Sequence, residues 1–273
     1  MGRLFPFHYF ALTFVSVLGC LAQEPQPELR EKARSLLRTA ISAKNPDTRI
    51  KAVQAASIIG PQEEVLSTLA QALEIERDVP AKLAIIDCLA SFKDEALTSP
   101  MLEKALKDET PEVVLAAAKV LYSFHRESGK DVLFSILIGE EKASSSFITS
   151  QKRDYLRMLT TPKKLMLTAA TMAPVPYIGL GLTSAQGILN DPAGSARAGI
   201  ILAVIADEDP ALRKAIQAAL NDKEWSVRAA AIHSLAFRND PSLKTDIAEL
   251  MDDKNEKVRL RAAAAYLRLD TLP

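Results

Sequence analysis

The stretch Asp222-Lys-Glu-Trp-Ser-Val-Arg228 decides the fold, because its frame occurs three times. Asp191-Pro-Ala-Gly-Ser-Ala-Arg197 precedes it and Asp253-Lys-Asn-Glu-Lys-Val-Arg259 follows it, with starts 31 residues apart in both steps. Each copy opens on Asp, carries Ala or Val five places on and Arg six places on, and runs into an alanine-rich stretch. A fixed period of this length is the mark of a repeat array. Worn copies lie upstream, where Asn45 leads to Ile50-Lys51, Glu76 to Ala81-Lys82 and Asp108 to Val113-Val114.

One unit shows the physical logic. Asp222 is expected to cap a helix, its carboxylate accepting backbone N–H groups that the first turn leaves free. Val227, Ala230, Ala231, Ser234 and Leu235 then recur at helical spacing and predict one buried stripe. Asn239-Asp240-Pro241 ends that helix and starts another, with Asp at the cap and Pro in the first turn. Leu243, Ile247, Leu250 and Met251 form the second stripe. Asp209-Pro210 and Asp191-Pro192 repeat the device, and Asn45-Pro46 resembles it.

A two-helix unit cannot bury its apolar face alone, so neighbours must stack to make a core. The D-x-x-x-[AV]-R frames at 191, 222 and 253, each leading into a small-residue helix, resemble HEAT repeats. The resemblance spans residues 28 to 270 and is strongest after 190. It implies an all-α fold, an armadillo-type α-solenoid of helix pairs. It also implies scaffold or adaptor work, since most of that family binds other proteins. Some HEAT-like proteins act instead as bilin lyases, which a secretory leader argues against.

The array is expected to have two ends. Pro27 to Ala43, with Leu29, Ala33, Leu36, Leu37, Ala40 and Ile41 on one face, predicts an N-terminal half-unit. Val258 to Leu269 predicts the last helix, with Val258, Ala262, Ala265, Tyr266 and Leu269 inward and no second helix before Pro273.

Residues 1–22 have the form of a secretory signal. Arg3 gives a positive start, Phe10 to Leu18 a short apolar run, and Cys20-Leu21-Ala22 the small residues of a cleavage site. Val17-Leu18-Gly19-Cys20 also resembles a bacterial lipobox, in which Cys20 would be lipidated and would hold the chain at a membrane. Either reading places the protein outside the cytoplasm, periplasmic or secreted. Residues 23–28 are a polar, Pro-containing spacer, 29–138 hold N-terminal repeats, 139–190 a divergent unit and 191–273 the C-terminal repeats.

In the divergent unit Ser144-Ser145-Ser146 marks a loop and Gln151 to Leu159 a helix. From Leu165 to Leu189 no residue is charged, and Pro174-Val175-Pro176 breaks the run before Gly179, Gly181 and Gly187. These breaks leave no clean span of ~20 apolar residues for a membrane. Two readings stay open: a break between buried helices, or an exposed patch, with Tyr177 a contact residue, that meets a partner.

Composition narrows function. Lys+Arg and Asp+Glu are 34 each, without the basic excess that nucleic acid binding uses. Two cysteines, Cys20 and Cys88, exclude a disulfide framework. Cys88 lies in an apolar run with no cationic neighbour and reads as a small core residue. His125 and His233 have no partner at metal-ligand spacing. Gly179-Leu-Gly181 lacks the third glycine and the strand of a nucleotide loop. No catalytic, cofactor or metal residue is expected.

The recurring polar feature is the row Arg197, Arg228, Arg259, with Lys51 and Lys82 upstream. These cations either pair with an inter-repeat acid such as Asp222 or Asp253, or form a row for an acidic partner. Trp225, the only tryptophan, either plugs the neighbouring repeat or stands out as a binding anchor. The expected partner is an unidentified protein.

Overall fold

The computed structural model describes residues 26–138, Ala185, Ile188 and 196–272. These residues form twelve α-helices and no strand. In chain order they are α1 (Gln26–Ile41), α2 (Pro46–Ala56), α3 (Glu63–Ile75), α4 (Val79–Ser91), α5 (Glu95–Ala105), α6 (Pro111–Ser123), α7 (Glu127–Ile138), α8 (Ala196–Ala203), α9 (Pro210–Ala218), α10 (Trp225–Phe237), α11 (Lys244–Glu249) and α12 (Glu256–Asp270). Short 3₁₀ turns follow α9 and flank α11.

Local signals set the starts. Asn45, Asp209 and Asp240 each accept a backbone N–H two residues on, and each is followed by Pro in the first helical turn. Asp78 and Asp94 accept from the third residue on. The ends of α4, α6 and α10 share another device: Lys93, His125 and Asn239 each follow the C-cap with φ between 53° and 56°. Such left-handed residues let a helix stop and turn. Gly60, at φ 97°, holds the corresponding place after α2, where a side chain would be strained. His125 is therefore a helix-stop residue. Gly129 matters for a different reason: a Cβ there would lie 2.6 Å from the Ala118 carbonyl oxygen and the Tyr122 nitrogen, so α7 sits on α6 backbone to backbone.

The helices form an α-solenoid, but its spatial order is not the chain order. One layer runs α8, α10, α12, α2, α4, α6, each packed on the next, so the C-terminal α12 is followed by the N-terminal α2. In the other layer α1 packs against α12. The two half-units expected as free ends thus complete each other, α1 serving as the second helix of the α12 unit. The reason is the one that drives every other pair: each helix has an apolar face that one neighbour alone leaves wet. Ala33, Leu37 and Ala40 of α1 share a buried cluster with Val258, Ala262, Ala265, Tyr266 and Leu269 of α12. Polar contacts lock this seam. Arg30 binds Asp270, Lys51 Nζ lies 2.7 Å from Glu256 Oε2, and Arg268 donates to the Ile58 carbonyl oxygen at 3.0 Å.

Central helices bury more than one stripe. In α10 every residue from Ser226 to Ala236 is buried, the expected Val227, Ala230, Ala231, Ser234 and Leu235 among them. Leu243, Ile247 and Met251 are buried and Leu250 packs beside them. Of the apolar stretch 165–189, Ala185 and Ile188 are described; both are helical and wholly buried with the C-terminal repeats. The leader, Cys20, Tyr177, the Ser144–Ser146 loop, the helix expected at 151–159 and Asp191-Pro192 lie outside the described residues.

Candidate protein-binding site

The row of cations is first of all a set of ties between repeats. Arg228 makes a bidentate pair with Asp253, Nε to Oδ2 at 2.7 Å and Nη2 to Oδ1 at 2.9 Å. Its Nη1 donates to the Asp222 and Lys223 carbonyl oxygens. Arg197 reaches Asp222 at 2.6 Å, and Lys82 binds Asp108. In the N-terminal half Arg49, and not Lys51, fills the place of Arg228. It binds Glu76 through Nε and Nη2, and its Nη1 takes the Ala43 and Lys44 carbonyls. The frame expected at Asn45 is therefore shifted by two residues. Its true start is Ala43.

The same geometry corrects the role of Asp222. It does not cap α10; Glu224 stands at the cap and makes no side-chain capping bond. Asp222 instead accepts the Glu224 N–H from two residues before the cap. Asp253 does the same for Asn255, Glu76 for Asp78 and Asp108 for Thr110. Each acid thus accepts a backbone N–H from its own loop and a cation from the preceding unit. For Asp253, burial alone would push the carboxyl pKa up. The Arg228 hydrogen bond, the Asn255 N–H and nearby positive charge outweigh it, and the net direction is down.

Arg259 departs from the row. Its Nη1 takes the Asp253 and Lys254 carbonyls as expected, but among the described residues no carboxylate lies within 4.0 Å of it. The repeat position that carries the acid elsewhere holds Ala43 here. Trp225 is partly buried against the C-terminal core, with Lys257 Nζ 4.6 Å from its ring centre, so it packs onto the next repeat.

Two residues read without a chemical role lie in the core. Cys88 is free and wholly buried, and burial pushes its thiol far from reactivity. His233 is wholly buried, its ring tilted by 45° against that of Phe237 with the centroids 4.8 Å apart. Among the described residues no group of His, Cys, Asp and Glu could hold a metal ion, and no helix is long and apolar enough to cross a membrane.

Two features went unread in the sequence. Arg261 is wholly buried, and loss of solvent lowers its guanidinium pKa to about 10. Its signal was an arginine on the same helix face as Val258 and Ala265. The second is a cleft of about 280 Å³ at the seam. Leu37, Ile41, Ile59, Val65, Leu69 and Leu267 make its apolar wall. Arg30, Arg34 and Arg38, spaced by four on α1, stand at its edge with Glu64 and Asp270. That spacing was visible, but nothing local says that α1 meets α3 and α12.

Residues 184–268 match the family model of HEAT repeats. No curated protein matches the chain. The matched segment contains the Asp222 and Asp253 frames with their helix pairs; the same packing continues from α12 through α6, and the same ties recur from α2 through α6. Residues 184–268 are thus similar to HEAT repeats, and the described helices form a helical repeat array whose first and last helices share one unit.

Proposed function

We propose that this chain is a non-catalytic scaffold that binds another protein outside the cytoplasm. The observation that carries the proposal is that the recurring polar chemistry of the repeats is spent within the stack. Arg197, Arg228, Arg49 and Lys82 each hold an acid of the next unit. What the array offers to solvent is shape and exposed side chains, which suits recognition rather than bond making. HEAT repeats in general mediate protein–protein contacts. Arg259 and the open edge of Trp225 lie on the row where an acidic partner surface would find both a charge and a ring.

Export follows from the leader. The second, tethered form rests on the lipobox-like Val17 to Cys20. Cys20 precedes α1 by six residues, and α1 sits in the interior of the stack, so a lipid there would fix the middle of the array to the membrane. The test expresses the tagged full chain in its own cell, fractionates the cell, and crosslinks the fraction that holds it. Recovery outside the cytoplasm with one partner in fixed ratio, reduced in Arg259→Glu, is the expected outcome. Recovery in the cytoplasm overturns export, and no crosslinked partner overturns the scaffold. Fatty-acid labelling lost in Cys20→Ser decides the tether.

A further inference from the structure

The seam cleft is built by α1, the end of α2 with the loop after it, α3, and the end of the distant α12. Its volume, about 280 Å³, falls below the ~300–1,000 Å³ of small-molecule and cofactor pockets. It suits one or two aliphatic side chains. The wall is aliphatic, so an occupant must bring apolar groups to displace water from it.

Charge selects the rest of the occupant. Three guanidiniums and two carboxylates line the cleft. Asp270, 3 % exposed, is already held by Lys244 as well as Arg30. Glu64 is shared by Arg34 and Arg38, and the exposed Glu31 is 3.8 Å from Arg38. Arg34 Nε is shielded from solvent and pairs with Glu64 Oε2 at 3.1 Å, without an aligned hydrogen bond. Arg30, Arg34, Arg38 and Lys244 thus face three carboxylates, Asp270, Glu64 and Glu31, so the rim keeps one positive charge in excess of its own acids. Arginine forks bind carboxylates bidentately, and a partly desolvated pair is stronger than one in open water.

We propose that this cleft seats an extended segment of a partner protein that carries a carboxylate side chain beside one or two aliphatic ones. The proposal rests on the scaffold reading and gives it a site. Because the cleft exists only when α1 lies on α12, occupation and seam closure are linked: a bound segment stabilises the closed array.

The test titrates the full chain, by fluorescence anisotropy, with three capped and labelled hexapeptides. One alternates Leu and Glu, one Leu and Lys, one Ser and Glu. The Leu–Glu peptide is expected to bind at least about tenfold more tightly than either control, and to raise the melting temperature. Arg34→Gln with Arg38→Gln is expected to weaken it about tenfold. Thr68→Leu, which fills the cleft while keeping every charge, is expected to do the same, and it serves where the double variant does not fold. Equal binding of the Leu–Lys peptide, or affinity unchanged in Thr68→Leu, overturns the proposal. So does tighter binding of octanoate or of anionic phosphatidylglycerol vesicles than of the peptide. A cellular partner still crosslinked to Thr68→Leu overturns the cleft and leaves the scaffold standing; peptide binding without any cellular partner does the reverse.

Discussion

Two junctions of the stack follow the same order of helices and differ in chemistry. Between α10 and α12 the chain runs on through α11, and Arg228 grips Asp253 with both partners under 10 % exposed. Between α12 and α2 the paired residues Lys51 and Glu256 are 205 positions apart. There Ala43 stands in the place of the repeat's acid, Arg259 lacks a carboxylate within 4.0 Å among the described residues, and the Lys51–Glu256 pair runs in the opposite sense. The repeat ties are thus not what closes the seam. Apolar burial does, with Arg30, Asp270 and Arg268 added at the edges. Chain entropy permits this. A loop of some 240 residues costs only about 2 kcal/mol more to close than one of 30, since each doubling adds about 0.6 kcal/mol. Burial of a single leucine offsets that.

The comparison can be broken in order of size. Arg228→Ala leaves Asp253 buried without its cation and is expected to cost about 3–5 kcal/mol, whereas Arg259→Ala at the seam costs under about 1 kcal/mol. Urea unfolding of the two variants measures the gap, and equal losses would mean that the seam has a tie after all. Leu235→Ala and Leu269→Ala remove equally buried side chains on either side of the comparison, and each is expected to cost about 2–5 kcal/mol. A negligible loss for Leu269→Ala would show that α1 does not stay on α12.

Acid sharpens the contrast next. Glu76, Asp108, Asp253 and Asp270 all have folded pKa values below their ordinary ones: burial pushes each up, and hydrogen bonds from a cation and, for the first three, from backbone N–H groups bring the net down. A lowered folded pKa adds stability that is present above the unfolded value and lost as pH falls through the folded one. The urea midpoint is therefore expected to fall between about pH 5 and pH 2, with a shallower slope in Asp253→Asn. A midpoint independent of pH in that window would contradict the assigned pairs. The smallest effect is a gain. Ala43→Asp restores the missing acid opposite Arg259 and is expected to raise stability by about 0.2–1 kcal/mol, a shift lost in the Arg259→Ala background.

Much of the fold was legible because its signals are local. The Asp-Pro starts at 209 and 240, the stripe from Val227 to Leu235 and the period of the C-terminal frames depend on neighbours within one or two turns. The N-terminal frame was misplaced by two because Lys51 offers the same charge as Arg49, and only the reach to Glu76 tells them apart. Asp222 reads as a cap in the sequence because a carboxylate just before a helix looks alike at the cap and two residues ahead of it. Of the residues singled out for binding, Arg197 and Arg228 are committed to the stack, Trp225 packs on the next repeat, and Arg259 remains.

The sequence by itself determined that this chain makes stacked helix pairs with charged ties, because period, caps and turn residues act within one unit. Only the tertiary structure decided which unit stacks on which. Apolar faces carry no address beyond shape, so nothing in α1 or α12 read alone says that the two half-units are one, or that an arginine-edged cleft opens where they meet.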